Sequence, residues 1–89
     1  MAYVDVTRSA VQKAMSSCVA AASELKKASS NLNKQYAAAG QGWKDSKYKE
    51  LGQIVDECNA AMRDPVSKLG ECHKTLSELD KILEAYESA

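Results

Sequence analysis

The stretch Gly40-Gln41-Gly42-Trp43-Lys44-Asp45 is the only place where a helical pattern that otherwise fills this chain stops and restarts. Two glycines within three residues oppose a helix, because Gly costs about 1 kcal/mol per interior position relative to Ala. Asp45 then offers a carboxylate to the free N–H groups at the start of a new helix. So short a break returns the chain on itself and predicts an antiparallel hairpin. The first helix is expected over about residues 6–38, the turn over about 39–45 and the second helix over about 46–87. The sole tryptophan, Trp43, stands in that turn with little nearby to bury an indole.

Either Asp5 or Thr7 can cap the first helix. Its apolar or small residues then fall at Val11, Met15, Cys18, Ala22, Leu25, Ser29, Leu32 and Tyr36. Steps alternating four and three are the seam of a helix packed along its length on another. Ser29 is the one clearly polar member. In the second helix the same alternation runs through Tyr48, Leu51, Val55, Cys58, Met62, Pro65, Leu69, Cys72, Leu76, Leu79, Leu83 and Tyr86. Pro65 removes an N–H and presses on the carbonyl of Ala61, which predicts a kink near residues 61–65. The phase is unchanged across it, so this reads as one bent helix.

Folding at the turn pairs residues whose numbers sum to about 84. Tyr36 then sits by Tyr48, Leu25 by Cys58 and Val11 by Cys72. Helices of roughly 50 and 65 Å would leave the second overhanging from about Asp80 onward. Beside the two seams lie further apolar lines, Ala14, Ala21 and Ala28 on the first helix and Ile54, Ala61 and Ile82 on the second. A two-helix hairpin covers one stripe of each helix and is marginal alone at this size. The expected fold is therefore all-α, an antiparallel helix-turn-helix hairpin pairing through these lines into a four-helix bundle as a dimer. Tyr36, Trp43 and Tyr48 gather at the turn end and Tyr3 and Tyr86 at the open end. An antiparallel dimer would lay Trp43 against the partner's tail.

Several function classes fall away on composition. Lys plus Arg and Asp plus Glu number 12 each, so no net field draws nucleic acid or an anionic membrane. The N-terminal residues show no basic and apolar regions of a cleavable signal peptide. The longest apolar run, Cys18 to Ala22, is far too short for a membrane span. Cys58 and Cys72 are 14 residues apart, about 21 Å along one helix, too far for a disulfide or shared metal. With a sum near 84, Cys18 falls opposite Pro65, midway between them. All three cysteines thus read as small hydrophobes in the seam, protected from alkylation, with a disulfide between subunits as the alternative. His73 lies one step off the seam, and Ser77 at i+4 has no third group to complete a catalytic set. No metal, cofactor or catalytic site is expected, and the chain reads as a non-enzyme.

A chain near this length, built as a helical hairpin with Trp43-Lys44-Asp45 at its turn, resembles the WXG family of small type VII secretion substrates. Asp45 stands where that family commonly has Gly. The resemblance spans the chain and implies export from a Gram-positive bacterium without a cleaved signal, in systems serving virulence or interbacterial competition. It implies pairing with itself or a related WXG-like hairpin. In the family, the Trp turn of one subunit lies beside a C-terminal Tyr-x-x-x-Asp/Glu signal of its partner. Here Tyr86 is followed by Glu87, Ser88 and Ala89. The signal then resides in Tyr86 with Glu87, or in a partner chain. The resemblance thus points to Trp43, Asp45, Tyr48, Tyr86 and Glu87 as export or partner-binding residues. A larger secreted toxin or the secretion ATPase are further implied partners. The competing expectation is a cytosolic helical adaptor or chaperone that holds a client helix on the same exposed stripe.

Overall fold

In the computed structural model, which describes residues 2–88, two helices account for nearly the whole chain: α1 (Ala2–Gly42) and α2 (Ser46–Ser88). They pack antiparallel as a hairpin in a rod of 67 × 16 × 13 Å. The turn is shorter than its glycines suggest. α1 runs through Gly40 and Gly42, leaving only Trp43, Lys44 and Asp45 between the helices. Asp45 caps α2 as its sequence position implies: its Oδ1 accepts the Tyr48 N–H at 3.0 Å, and its carbonyl accepts the Lys49 N–H at 3.1 Å.

Gly40 serves packing, not chain reversal. A Cβ there would collide with the Tyr48 hydroxyl, and a Cβ at Gly52 would collide with the hydroxyl of Tyr36. Each helix therefore carries a Tyr-x-x-x-Gly pair, Tyr36 with Gly40 and Tyr48 with Gly52. Residues four apart share a helix face. Each ring thus crosses to the glycine of the other helix. The two rings stack with centroids 4.4 Å apart and planes within 3°. The Tyr48 hydroxyl donates to the Tyr36 carbonyl at 2.8 Å, and the Tyr36 hydroxyl donates to the Tyr48 carbonyl at 3.5 Å.

Because α1 extends further than expected, the centre of the turn moves to Lys44 and the register shifts with it. Ser29 meets Asn59, donating to its Oδ1 at 2.6 Å, and Arg8 meets Asp80 at 2.9 Å. These numbers sum to 88, not 84. α1 also begins at Ala2, so α2 does not overhang it at Asp80. Cys18 lies level with residue 70 and not with Pro65.

The α1 seam is as expected: Val11, Met15, Cys18, Ala22, Leu25, Ser29, Leu32 and Tyr36 are all buried or half-buried. Half of the expected α2 seam also faces inward, namely Tyr48, Val55, Met62, Leu69, Leu76 and Leu83. The alternate members do not. Leu51, Cys58, Pro65, Cys72, Leu79 and Tyr86 are exposed, and Gly52, Asn59, Val66, His73 and Asp80 take the inner positions. The inner residues are chosen by their partners. Gly52 accommodates Tyr36, Asn59 bonds Ser29 and Asn33, and Asp80 bonds Arg8 and Gln12.

α2 is one element through Pro65. Pro65 and Ala61 are exposed, so water can satisfy the carbonyl that the ring leaves without a donor. The resulting core is thin. Among the described residues, Val11, Cys18 and Val55 are the buried hydrophobic side chains.

The tyrosine–glycine contact predicts a reversal of sign in Gly40→Ala. With Tyr48 present, the added methyl must displace the ring and should cost ~1–3 kcal/mol. In a Tyr48→Ala background the same change should stabilise by up to ~1 kcal/mol through helix propensity. Urea midpoints of the four proteins in this cycle measure both.

Candidate interaction surface

At the turn end Trp43 is 56% exposed, with no helix to cover it. Its neighbours in the sequence-derived site have other work. Asp45 is the α2 cap, and Tyr48 is held in the tyrosine stack, where burial first and the Tyr36 hydroxyl second push its phenol up from the ordinary range. At the open end Tyr86 is 69% exposed. Glu87 instead receives the Arg8 Nη1 at 2.7 Å. Of the five, Trp43 and Tyr86 are the ones left facing solvent with substantial aromatic surface. They lie at opposite ends of a 67 Å rod, so contact between them requires two molecules.

Arg8 is the cross-helix side chain that apolar periodicity misses. Its Nε lies 2.9 Å from Asp80 Oδ1, Nη1 is 2.7 Å from Glu87 and Nη2 is 3.7 Å from Glu84. The Arg8 hydrogen bond holds the Asp80 carboxyl below its ordinary range, and Gln12 adds to the effect. Glu87 is lowered by Arg8 first and Asp5 second. An arginine in the second turn facing acids at three- and four-residue spacing near the other terminus is the signal that could have found it.

The long sides of the rod differ. Ser29 with Asn59 and Arg8 with Asp80 place the α1 line of residues 8, 15, 22 and 29 beside the α2 line of residues 52, 59, 66, 73 and 80. The opposite edge therefore joins Ala14, Ala21 and Ala28 on α1 to Leu51, Cys58, Pro65, Cys72 and Leu79 on α2. Ile54, Ala61 and Ile82 extend that edge outward. Leu51, Ile54, Leu79 and Ile82 are 42%, 54%, 41% and 55% exposed. Ala21, Ala28 and Ala61 are exposed and Ala14 is half-buried. An apolar stripe at three–four spacing, interrupted by Lys68 and Thr75, thus runs along α2 without a covering helix. Outside it lies an acidic heptad line, Glu50, Glu57, Asp64, Glu71 and Glu78, and outside the alanines lie Lys13, Lys27 and Lys34.

The other edge carries a shallow open groove of about 590 Å³, lined by Cys18, Val19, Lys26, Val66, Gly70 and His73 among others. His73 is half-buried on the seam rather than one step off it. Cys58 and Cys72 are exposed, and only Cys18 has the burial expected of all three thiols. Among the described residues no group of three or more His, Cys, Asp or Glu side chains could hold a metal ion. No helix among them is long and apolar enough to cross a membrane.

Compared with protein-family models, curated proteins and solved structures, the chain finds no significant match in any of the three.

The Arg8 cluster predicts a pH dependence. Carboxyls lowered in the fold add stability above their unfolded values and lose it as pH falls through the lowered folded ones. Arg8→Gln should therefore lower the melting midpoint at pH 7. The wild-type and variant curves should converge only as pH falls below the ordinary carboxylate range, through the lowered folded values of Asp80 and Glu87. Thermal melts from about pH 7 down to about pH 2, which spans the carboxylate range, check this.

Proposed function

We propose that this protein acts through helix–helix association, pairing two hairpins by the uncovered edge, as a WXG-like substrate or targeting partner of a type VII secretion system. The carrying observation is the stripe from Leu51 to Ile82 on α2, exposed beside the alanines of α1. Its bulky apolar residues gather at its two ends on either side of Lys68 and Thr75, and one hairpin has no third helix to place on them.

The edge is suited to a second copy. Its bulky residues are on α2 and its small ones, Ala14, Ala21 and Ala28, on α1, so α2 of each hairpin can settle on α1 of the other. That pairing also brings the Glu50–Glu78 line of one copy toward Lys13, Lys27 and Lys34 of the other. Direct α2-to-α2 pairing would set acidic line against acidic line. Large residues fall at both ends of the α2 stripe, with Cys58, Ala61, Pro65, Lys68, Cys72 and Thr75 between them. Trp43 and Tyr86, both exposed, are the aromatic residues on which export rests in the WXG reading. A narrow seam with shallow, open grooves supports binding rather than catalysis.

Sedimentation should show a dimer at micromolar concentration. Ala21→Glu should weaken it at least ~100-fold by setting an unpaired charge between close helices. A stable, folded monomer at that concentration would overturn the pairing. Trp43→Ala should leave the melting midpoint nearly unchanged, because the indole is exposed, and yet remove export by the native host. Normal export of a folded Trp43→Ala protein would overturn the secretion reading and leave a cytosolic adaptor that holds a client helix.

A further inference from the structure

We infer that Cys18 and Cys72 form an intramolecular disulfide that ties α1 to α2 under oxidising conditions. Contacts on both sides of the pair define their relative height. Ser29 with Asn59 and Arg8 with Asp80 place Cys18 level with residue 70. The same level follows from the groove that Cys18 shares with Leu69, Gly70 and His73. A helical side chain leans toward the N-terminus of its own helix. In this antiparallel pair Cys18 leans toward the open end and Cys72 toward the turn, so the two thiols converge from adjacent levels. Cys72 lies on the same edge of α2 as the Cys18 side of the α1 seam, and it is exposed while Cys18 is buried. Burial first, and the Cys72 thiol second, raise the Cys18 thiol above its ordinary range, as proximity requires. Cys58 is about 21 Å from Cys72 along α2 and lies outside the pair.

The oxidant is a small-molecule disulfide such as oxidised glutathione. The exposed Cys72 thiolate attacks it, bonding to one half and releasing the other as a thiol. Cys18 then gives up its proton and attacks the Cys72 sulfur, which releases the second thiol. Two protons and two electrons pass from the protein to two small-thiol molecules. The bond closes a loop over residues 18–72, more than half the chain. It constrains the unfolded state of a hairpin whose buried hydrophobic core is three side chains. The bond lies within one hairpin, and Cys72 meets the oxidant while its edge is uncovered by a second copy.

The test uses Cys58→Ser protein, reduced and then exposed to millimolar oxidised glutathione. The intact mass should fall by about 2 Da with the chain remaining a monomer on a non-reducing gel. Tryptic digestion should yield residues 14–26 joined to residues 69–74. The melting midpoint should rise by ~10 °C or more, and dithiothreitol should reverse it. Adding Cys18→Ser or Cys72→Ser should abolish the mass loss, with circular dichroism confirming that both reduced variants are helical. Persistent glutathione adducts on both thiols without the mass loss, or dimers linked through Cys72 as the main product, would overturn the inference.

Discussion

The reciprocal seating of Tyr36 on Gly52 and Tyr48 on Gly40 is the contact on which the rest of the hairpin depends. A three-residue turn leaves few ways for the helices to leave it, and this contact selects among them. A slip by one residue would present a side chain to each hydroxyl where glycine now leaves space. The stack also covers both rings and returns each hydroxyl to a carbonyl across the seam. From there the register is inherited by every later pair, down to Arg8 and Asp80 at the open end.

The contacts below the turn specify alignment more than they supply stability. Ser29, Asn33 and Asn59 form a small polar network midway, where a mismatched neighbour would leave an amide without a partner. The ion pairs within each helix, such as Lys47 with Glu50 and Lys68 with Glu71, are exposed and contribute little. Apolar burial is confined to one thin seam. The second α2 stripe follows directly from this arrangement. Once Gly52, Asn59 and Asp80 are turned inward by their partners, Leu51, Cys58 and Leu79 must lie outside. The surface proposed for association is thus a consequence of the register.

Much of this was legible in the chain. Heptad spacing identifies the hairpin and the whole α1 seam, because α1 carries a single strong apolar line. Asp45 reads as the α2 cap from its position after the break. The phase of α2 does not, because two apolar lines there share Val55, Met62 and Leu69 and differ in the intervening residues. Hydrophobicity favours Leu51 over Gly52 and Cys58 over Asn59, whereas the cross-helix partners favour the reverse. The glycines misled for a related reason: Gly40 looks like a helix stop and is instead the seat of a ring. Moving the turn by two residues then separates Cys18 from Pro65 and brings it to Cys72. Of the residues chosen for recognition, Trp43 and Tyr86 remain exposed, while Asp45, Tyr48 and Glu87 are engaged within the hairpin.

Proton NMR in solution tests the register most directly, through cross-peaks between side chains of the two helices. The Tyr48 ring should show them to the Gly40 α-protons and the Tyr36 ring to those of Gly52, and ring currents should shift these glycine protons. The Asn59 side-chain amide should show cross-peaks to Asn33. Cross-peaks from the Cys58 β-protons to the Leu25 methyls, with the Asn59 amide exchanging freely with water, would contradict the account.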